Sequence, residues 1–274
     1  MHGVVVQRRT LTSCFRCKAE SPPLVICFPC TQSTTDPDAL GRRTMSSSQK
    51  IYRIMSFGHV VDMFESKSLF FASPRLWDDP FETFLIHARS NATFAQCWTK
   101  KAVSDAMWRI YSPDRLSVRV ATTRASMTSA LNAVQAEEES FRYLIKDVIY
   151  DTASNVRVSM IKLKDELDIK FVTTKAAEAL LRKRDSFQHE DEVRVIVHDR
   201  SASDFGPVKN GLRVAFDAHA NIDSVVFDPR VDETYMRVCE YYLRGSIGFE
   251  GGVGKSALYR SNESLEVKPR TRKK

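Results

Sequence analysis

A chain of 274 residues with 43% hydrophobic and 27% charged residues has the composition of an ordinary globular protein, long enough for one large domain or two small ones. No apolar run approaches ~18 residues, which excludes a transmembrane helix and a membrane partner of that kind. The net charge of +7 sits at the ends, with +3 on residues 1–44, +5 on 244–274 and −1 on 45–243, so the basic balance does not by itself make the centre a nucleic-acid binder.

Met1–Val6 has no apolar stretch ahead of Arg8-Arg9, which argues against a secretory signal. Cys97 and Cys239 stand in apolar contexts and read as buried thiols of a reducing compartment, so the expected location is cytoplasmic. Residues 31–50, rich in Ser, Thr, Asp, Arg and Gly, read as a linker. Met45 lies inside it and is a candidate translation start, so 1–44 reads as an extension that is disordered, untranslated or ordered by a metal.

Alternation predicts a strand over Ile51–Met55. A short helix follows over His59–Ser66, with Val60, Val61, Met63 and Phe64 as its apolar stripe. A second strand is predicted over Ser68–Ala72, then an aromatic-rich loop over Pro74–Phe84 whose Asp78-Asp79-Pro80 favours a turn. Thr93–Thr99 and Leu116–Thr122 read as strands, Ala102–Ile110 and Met127–Gln135 as helices, and Tyr143–Tyr150 as a strand. Helices are predicted over 154–168 and 173–184. Strands follow from Glu192, over Leu212–Phe216 and over Ile222–Phe227, with a last helix over Asp232–Leu243. Short strands interleaved with helices, without βαβ regularity, predict an α+β fold with a mixed, mainly antiparallel sheet and flanking helices. The globular domain is expected over 45–243, followed by a basic tail over 244–274.

Cys14-x-x-Cys17 and Cys27-x-x-Cys30 give four thiolates at a spacing that closes a tetrahedral zinc site. Gly251-Gly-Val-Gly-Lys255-Ser256 resembles part of a phosphate-binding loop, but Phe249 stands where the first glycine is needed, so it reads as a chance match. Trp108 and Tyr111, three apart on one helical face, read as core aromatics. Lys268–Lys274 reads either as a weak nucleic-acid contact or as a solubilising end.

The strongest signal is His189-Glu190-Asp191-Glu192-Val193-Arg194-Val195-Ile196-Val197. Val193, Val195 and Val197 share one strand face, and Glu190, Glu192, Arg194 and Ile196 the other. Two readings stand: a solvated ion-pair ladder, or a Glu-x-Glu catalytic pair at the mouth of a sheet.

Several segments in order resemble the bacterial and phage domain-of-unknown-function family 2971. They are Ile51-Tyr52-Arg53, Ser68–Pro74 running into Asp78–Glu82, Phe94–Thr99, Met107–Tyr111, Val148–Tyr150, Lys175 and His189–Arg194, covering about 45 to 230. The chain departs from that family's pattern at Asp78, Ile110, Leu116-Ser117 and Phe187. The layout is also similar to that of mono-ADP-ribosyltransferases, with an early-strand cation, a Ser/Thr strand and a late Glu-x-Glu. This resemblance implies NAD as substrate, with Arg53 and Tyr52 on the NAD side, Arg53 on its diphosphate, Thr99 steadying the nicotinamide, and Glu192 and Glu190 as catalytic carboxylates. It implies an NAD-using transferase in bacteria–phage conflict, acting on a macromolecular acceptor. The alternative is a non-catalytic module that binds protein or nucleic acid.

Overall fold

The computed structural model describes residues 49–261 and 263–265. The four cysteines assigned to zinc, the Met45 start and the Lys268–Lys274 tail lie outside the described residues. Among the described residues no His, Cys, Asp or Glu cluster has metal-binding geometry, and no helix is long and apolar enough to cross a membrane.

In chain order the elements are β1 (Lys50–Ser56), α1 (Phe57–Glu65), β2 (Ser68–Ala72), β3 (Thr93–Thr99), α2 (Asp105–Tyr111), β4 (Ser117–Thr123), α3 (Arg124–Glu137), β5 (Phe141–Asp147) and β6 (Ile149–Asp151). They continue with α4 (Ala153–Ile169), α5 (Thr173–Ala176), β7 (Arg182–Arg184), β8 (Glu192–Asp199), β9 (Gly211–Ala215), α6 (Ala218–Asn221), β10 (Ser224–Phe227), α7 (Glu233–Gly245) and β11 (Gly252–Lys255). The main sheet runs β11-β10-β4-β1-β3-β2-β9, and β8 pairs with both β3 and β5. Only the β10–β11 pairing within it is parallel, so the expected α+β fold with a mixed, mainly antiparallel sheet is what forms.

Local rules explain the elements. The Ser56 hydroxyl accepts from the His59 N–H and caps α1. Val60, Met63 and Phe64 then recur at helical spacing and are buried. Together with α3, α6 and α7, α1 covers one face of the sheet, where Phe94, Trp98, Val193, Val195, Val197, Val118 and Val120 form the main core. The other face is covered only in part. Leu180 and Leu181 lie on Ala95 and Ile196, and α4 packs behind them on Ala176 and Ala179.

Three expectations are corrected. The helix predicted over 173–184 is a single α turn, then a 3-10 turn over Ala177–Leu181, then β7. The run Ala176–Leu181 is buried almost throughout, at positions 176, 177, 179, 180 and 181, a pattern that suits no single helix face. The strand predicted over Tyr143–Tyr150 breaks at Val148, whose N–H donates to Glu192 O. The break sends β5 to β8 and β6 to β7. Finally, part of the segment beyond 243, expected as a tail, belongs to the sheet. β11 lies parallel to β10 from Ser224↔Gly252 to Phe227↔Lys255, and Phe249 is buried. A Cβ on Gly251 would lie 2.3 Å from the Phe249 ring and 2.7 Å from Asp223 O, so the glycine there serves strand packing rather than a phosphate.

Candidate active site

The sheet is well zipped everywhere but in one place. β1 pairs with β4 along its whole length and β3 with β8 along its whole length. Between β1 and β3 the only bridge is Tyr52↔Thr99, and between β2 and β3 the only bridge is Ala72↔Ala95. Strands held by one bridge splay, and the splayed backbone needs other partners. Gln96 Nε2 donates to Phe70 O at 2.8 Å, and Trp98 Nε1 donates to Gln96 Oε1 at 3.0 Å. The split, on the poorly covered face, opens a cavity of about 360 Å³.

Arg53, Tyr52, Thr99, Glu190 and Glu192 all line this cavity. Five residues singled out from three distant segments thus surround one space. Asp191, in the left-handed region at φ 46°, turns the chain from the 3-10 turn Asp185–Glu190 into β8. That turn lets Glu190 reach the same space as Glu192, although it precedes the strand. The Thr99 hydroxyl donates to Glu190 O at 2.5 Å and accepts from the Lys101 N–H at 3.0 Å. It therefore anchors the Glu190 backbone to the end of β3.

The solvated-ladder reading is corrected by burial: Glu190, Glu192 and Arg194 are 6%, 3% and 0% exposed. Arg194 holds Glu192 in a fork, Nε to Oε1 at 2.6 Å and Nη2 to Oε2 at 3.0 Å, and also pairs with Glu82. Its guanidinium lies 4.5 Å from the centre of the Trp77 ring. Lys183 Nζ sits among three carboxylates, 2.6 Å from Glu190, 3.3 Å from Glu192 and 3.4 Å from Glu82. Two cations against three carboxylates leave this buried cluster with one net negative charge, apart from Arg53.

Burial opposes ionisation of Glu192, but Arg194 and then Lys183 outweigh it and hold the carboxyl below its usual range. Burial likewise opposes the charge on Lys183, and the carboxylates overcome it and raise its pKa. The Cys97 thiol, on the cavity wall, is pushed up by burial and by Glu192, so it stays protonated and is no nucleophile near neutral pH. Arg53 differs from the other cations. Burial lowers its pKa, with only partial relief from Cys97 and Glu192, and its Nη1 is buried with no hydrogen-bond partner.

Tyr111 corrects another expectation. Trp108 is core, but Tyr111 faces the cavity, and its hydroxyl donates to Glu190 Oε1 at 3.0 Å. It is the last residue of α2, and that helix end is fixed from outside. Arg230 Nη2 donates to Trp108 O and Ser112 O at 3.1 and 3.0 Å, and Asp228 grips Arg230 in turn. These bonds satisfy carbonyls that a helix C-terminus leaves open.

Sequence reasoning missed Lys183 and Tyr111 as site residues, and it gave Glu82 no role of its own, although Glu82 ends a segment counted in the family resemblance. The Glu82 carboxylate arrives from an irregular loop that carries no periodicity, while the basic run Arg182-Lys183-Arg184 looks like an exposed helix end. A lone lysine and glutamate without alternation around them give no signal of burial.

A family model described as protein of unknown function (DUF2971) matches residues 107–195, a stretch that holds Tyr111, Lys183, Glu190, Glu192 and Arg194. It bears out the resemblance to that family drawn from the sequence. Among solved structures, the chain is similar to Thermus sp. 2.9 DarT in complex with NAD+, at 10% identity and a TM-score of 0.37 over 76% of this chain and 96% of that one. It is also similar to the same protein in complex with ADP-ribosylated ssDNA, at 7% identity and a TM-score of 0.38 over 76% and 94%. No curated protein matches.

Proposed function

We propose that the chain is an NAD-using transferase of the ADP-ribosyltransferase kind, with the split between β1 and β3 as its active site. The observation that carries this reading is the convergence of Arg53, Tyr52, Thr99, Glu190 and Glu192 on one cavity. A binding module would have no reason to gather them.

The charges fit the chemistry. Arg53 brings a guanidinium to the cavity wall, which suits the NAD diphosphate. The carboxylate cluster faces the nicotinamide ribose. When the C1′–N bond breaks, its electron pair goes to the nicotinamide nitrogen and neutralises the pyridinium. Positive charge is left on C1′ and the ring oxygen. Glu192, fixed by Arg194 and already ionised, stabilises that charge without reorganising. The acceptor's lone pair then forms the new bond to C1′, and its proton passes to Glu190, which Lys183 and Tyr111 hold in place. Thr99 contributes by keeping the Glu190 backbone on β3.

The acceptor is a macromolecular nucleophile, and the basic C-terminal residues offer it a weak electrostatic contact when it is a nucleic acid. Incubation of the full chain with NAD tests the reading. It predicts free nicotinamide, and a protein or nucleic acid that gains the mass of ADP-ribose. A chain that binds NAD and releases nothing would instead be a binding module.

A further inference from the structure

A cavity of about 200 Å³ has no part in the transfer chemistry. It is bounded by Thr93 of β3, by Ala176, Ala179 and Leu180, and by Leu85 and His87 of the loop that follows Glu82. Glu82 borders both this cavity and the main one. Arg194 holds the wall and the carboxylate together. Its Nη1 donates to Leu180 O at 2.5 Å, and its Nη2 pairs with Glu82 Oε1. Lys183 also reaches Oε1, at 3.4 Å. Glu82 Oε2 makes no hydrogen bond among the described residues, yet it is not sealed from the cavities.

A buried carboxylate oxygen left open calls for a donor. The cluster that Glu82 belongs to carries a net negative charge, so a cationic donor is favoured over a neutral one. The other polar groups of the cavity are engaged. Thr93 Oγ1 donates to Arg89 O at 3.0 Å, and Ser90 Oγ accepts from the His87 N–H at 2.9 Å. His87 Nδ1 accepts the Arg89 N–H at 3.2 Å, so that nitrogen carries no proton, and burial lowers the pKa of the ring and keeps it neutral. Arg75, at the rim, is exposed and donates from Nη1 to Asn91 Oδ1 at 2.8 Å. We propose that this cavity is a binding site for a small organic cation, a primary ammonium on a single ring or short branched chain. The ammonium meets Glu82 Oε2, and the apolar body lies against Leu85, Ala179 and Leu180. A cavity of about 150 Å³ accepts benzene, so one ring is the scale that fits. The site does not depend on the transferase reading, since Glu82 is the one residue it shares with the main cavity.

The experiment is calorimetry on the full chain at neutral pH, without NAD, with three probes of one shape: benzylammonium, benzyl alcohol and benzoate. Benzylammonium should bind at least about tenfold more tightly than benzyl alcohol, as a hydrogen bond to a charged group demands, and benzoate should not bind detectably. Glu82→Gln keeps an acceptor for Arg194 and removes the charge. It should bring benzylammonium to within about threefold of the alcohol, with thermal unfolding as the check on folding. The main cavity also holds carboxylates, so the position is read separately. A wild-type crystal soaked with 4-bromobenzylammonium should place the bromine between Leu85 and Leu180. Equal affinity for the ammonium and the alcohol, no binding of the ammonium by wild type, or bromine beside Tyr52 and Tyr111 in the main cavity would overturn the site. Failure of the transferase reading looks different: no nicotinamide is released from NAD, and the three probes still rank as expected.

Discussion

Lys183→Met is the sharpest test of the buried cluster. Lys183 Nζ is the cation shared by Glu82, Glu190 and Glu192, and its side chain is 8% exposed. Methionine keeps the aliphatic stem and removes the charge, together with the contact that Lys183 Nζ makes 4.8 Å from the centre of the Phe187 ring. Three buried carboxylates would then face Arg194 alone, so the cluster's net charge goes from −1 to −2. Removing one partner of a buried pair costs about 3–5 kcal/mol, because the carboxylates lose their compensation and not merely a contact. For a domain of this size that is a fall in Tm of roughly 6–20 °C. The loss depends on pH in a defined direction. Lys183, after Arg194, is one of the charges that hold the Glu192 carboxyl below its usual range. The stability it supplies there is present above the unfolded pKa of Glu192 and lost as pH falls through the lower folded one. The gap between variant and wild type should therefore be widest near neutral pH and narrow toward about pH 4. Adding Glu82→Gln returns the cluster to −1, so the double variant should recover about 1–3 kcal/mol relative to the sum of the single changes. Thermal unfolding across pH, by circular dichroism, measures all of this. A Lys183→Met protein with wild-type Tm at every pH, or strictly additive changes, would refute the buried cluster.

Three further outcomes follow from the same geometry. Arg53→Ala should weaken NAD binding by at least about tenfold, yet leave Tm unchanged or raised, because the lost guanidinium has a buried nitrogen without a partner; calorimetry and thermal unfolding read the two effects separately. Glu192 is held below the usual carboxyl range by Arg194 and Lys183. The stability it contributes is thus present above its unfolded pKa and lost as pH falls through its lower folded value, and Glu192→Gln should flatten that part of the acid-unfolding curve. A chain starting at Met45 leaves β1 whole and should keep the full-length Tm. A chain ending at Leu243 loses β11 and the buried Phe249 and should be destabilised by about 3 kcal/mol or more.

The parts of the site that were legible in the sequence are those borne on strands. Glu192 and Arg194 stand at period two against Val193, Val195 and Val197, and Thr93–Thr99 alternates as a strand should, so both strands of the β3–β8 wall could be read, though not their pairing. Alternation says which residues share a face but not whether that face meets water. The ladder and the buried pair therefore looked alike until Lys183 and Glu82, far apart in the chain, were seen to close over it. Tyr111 shows a different limit. Its spacing from Trp108 predicts a shared helical face, but α2 ends at Tyr111, where the side chain is free to leave that face for Glu190. Likewise Gly251–Lys255 has the composition of a loop, and only pairing with β10 makes it a strand.

The central claim is that Glu192 supplies charge to a departing nicotinamide, and one comparison tests it most directly: nicotinamide release from NAD by wild type and by Glu192→Gln, with folding of both checked by circular dichroism. Glutamine keeps the size and an acceptor oxygen for Arg194, and leaves two carboxylates against two cations, so the variant should fold. The account predicts release by wild type and a loss of at least about 10²–10³-fold in the variant, the scale of removing one preorganised electrostatic group. Equal release by the two folded proteins would contradict it.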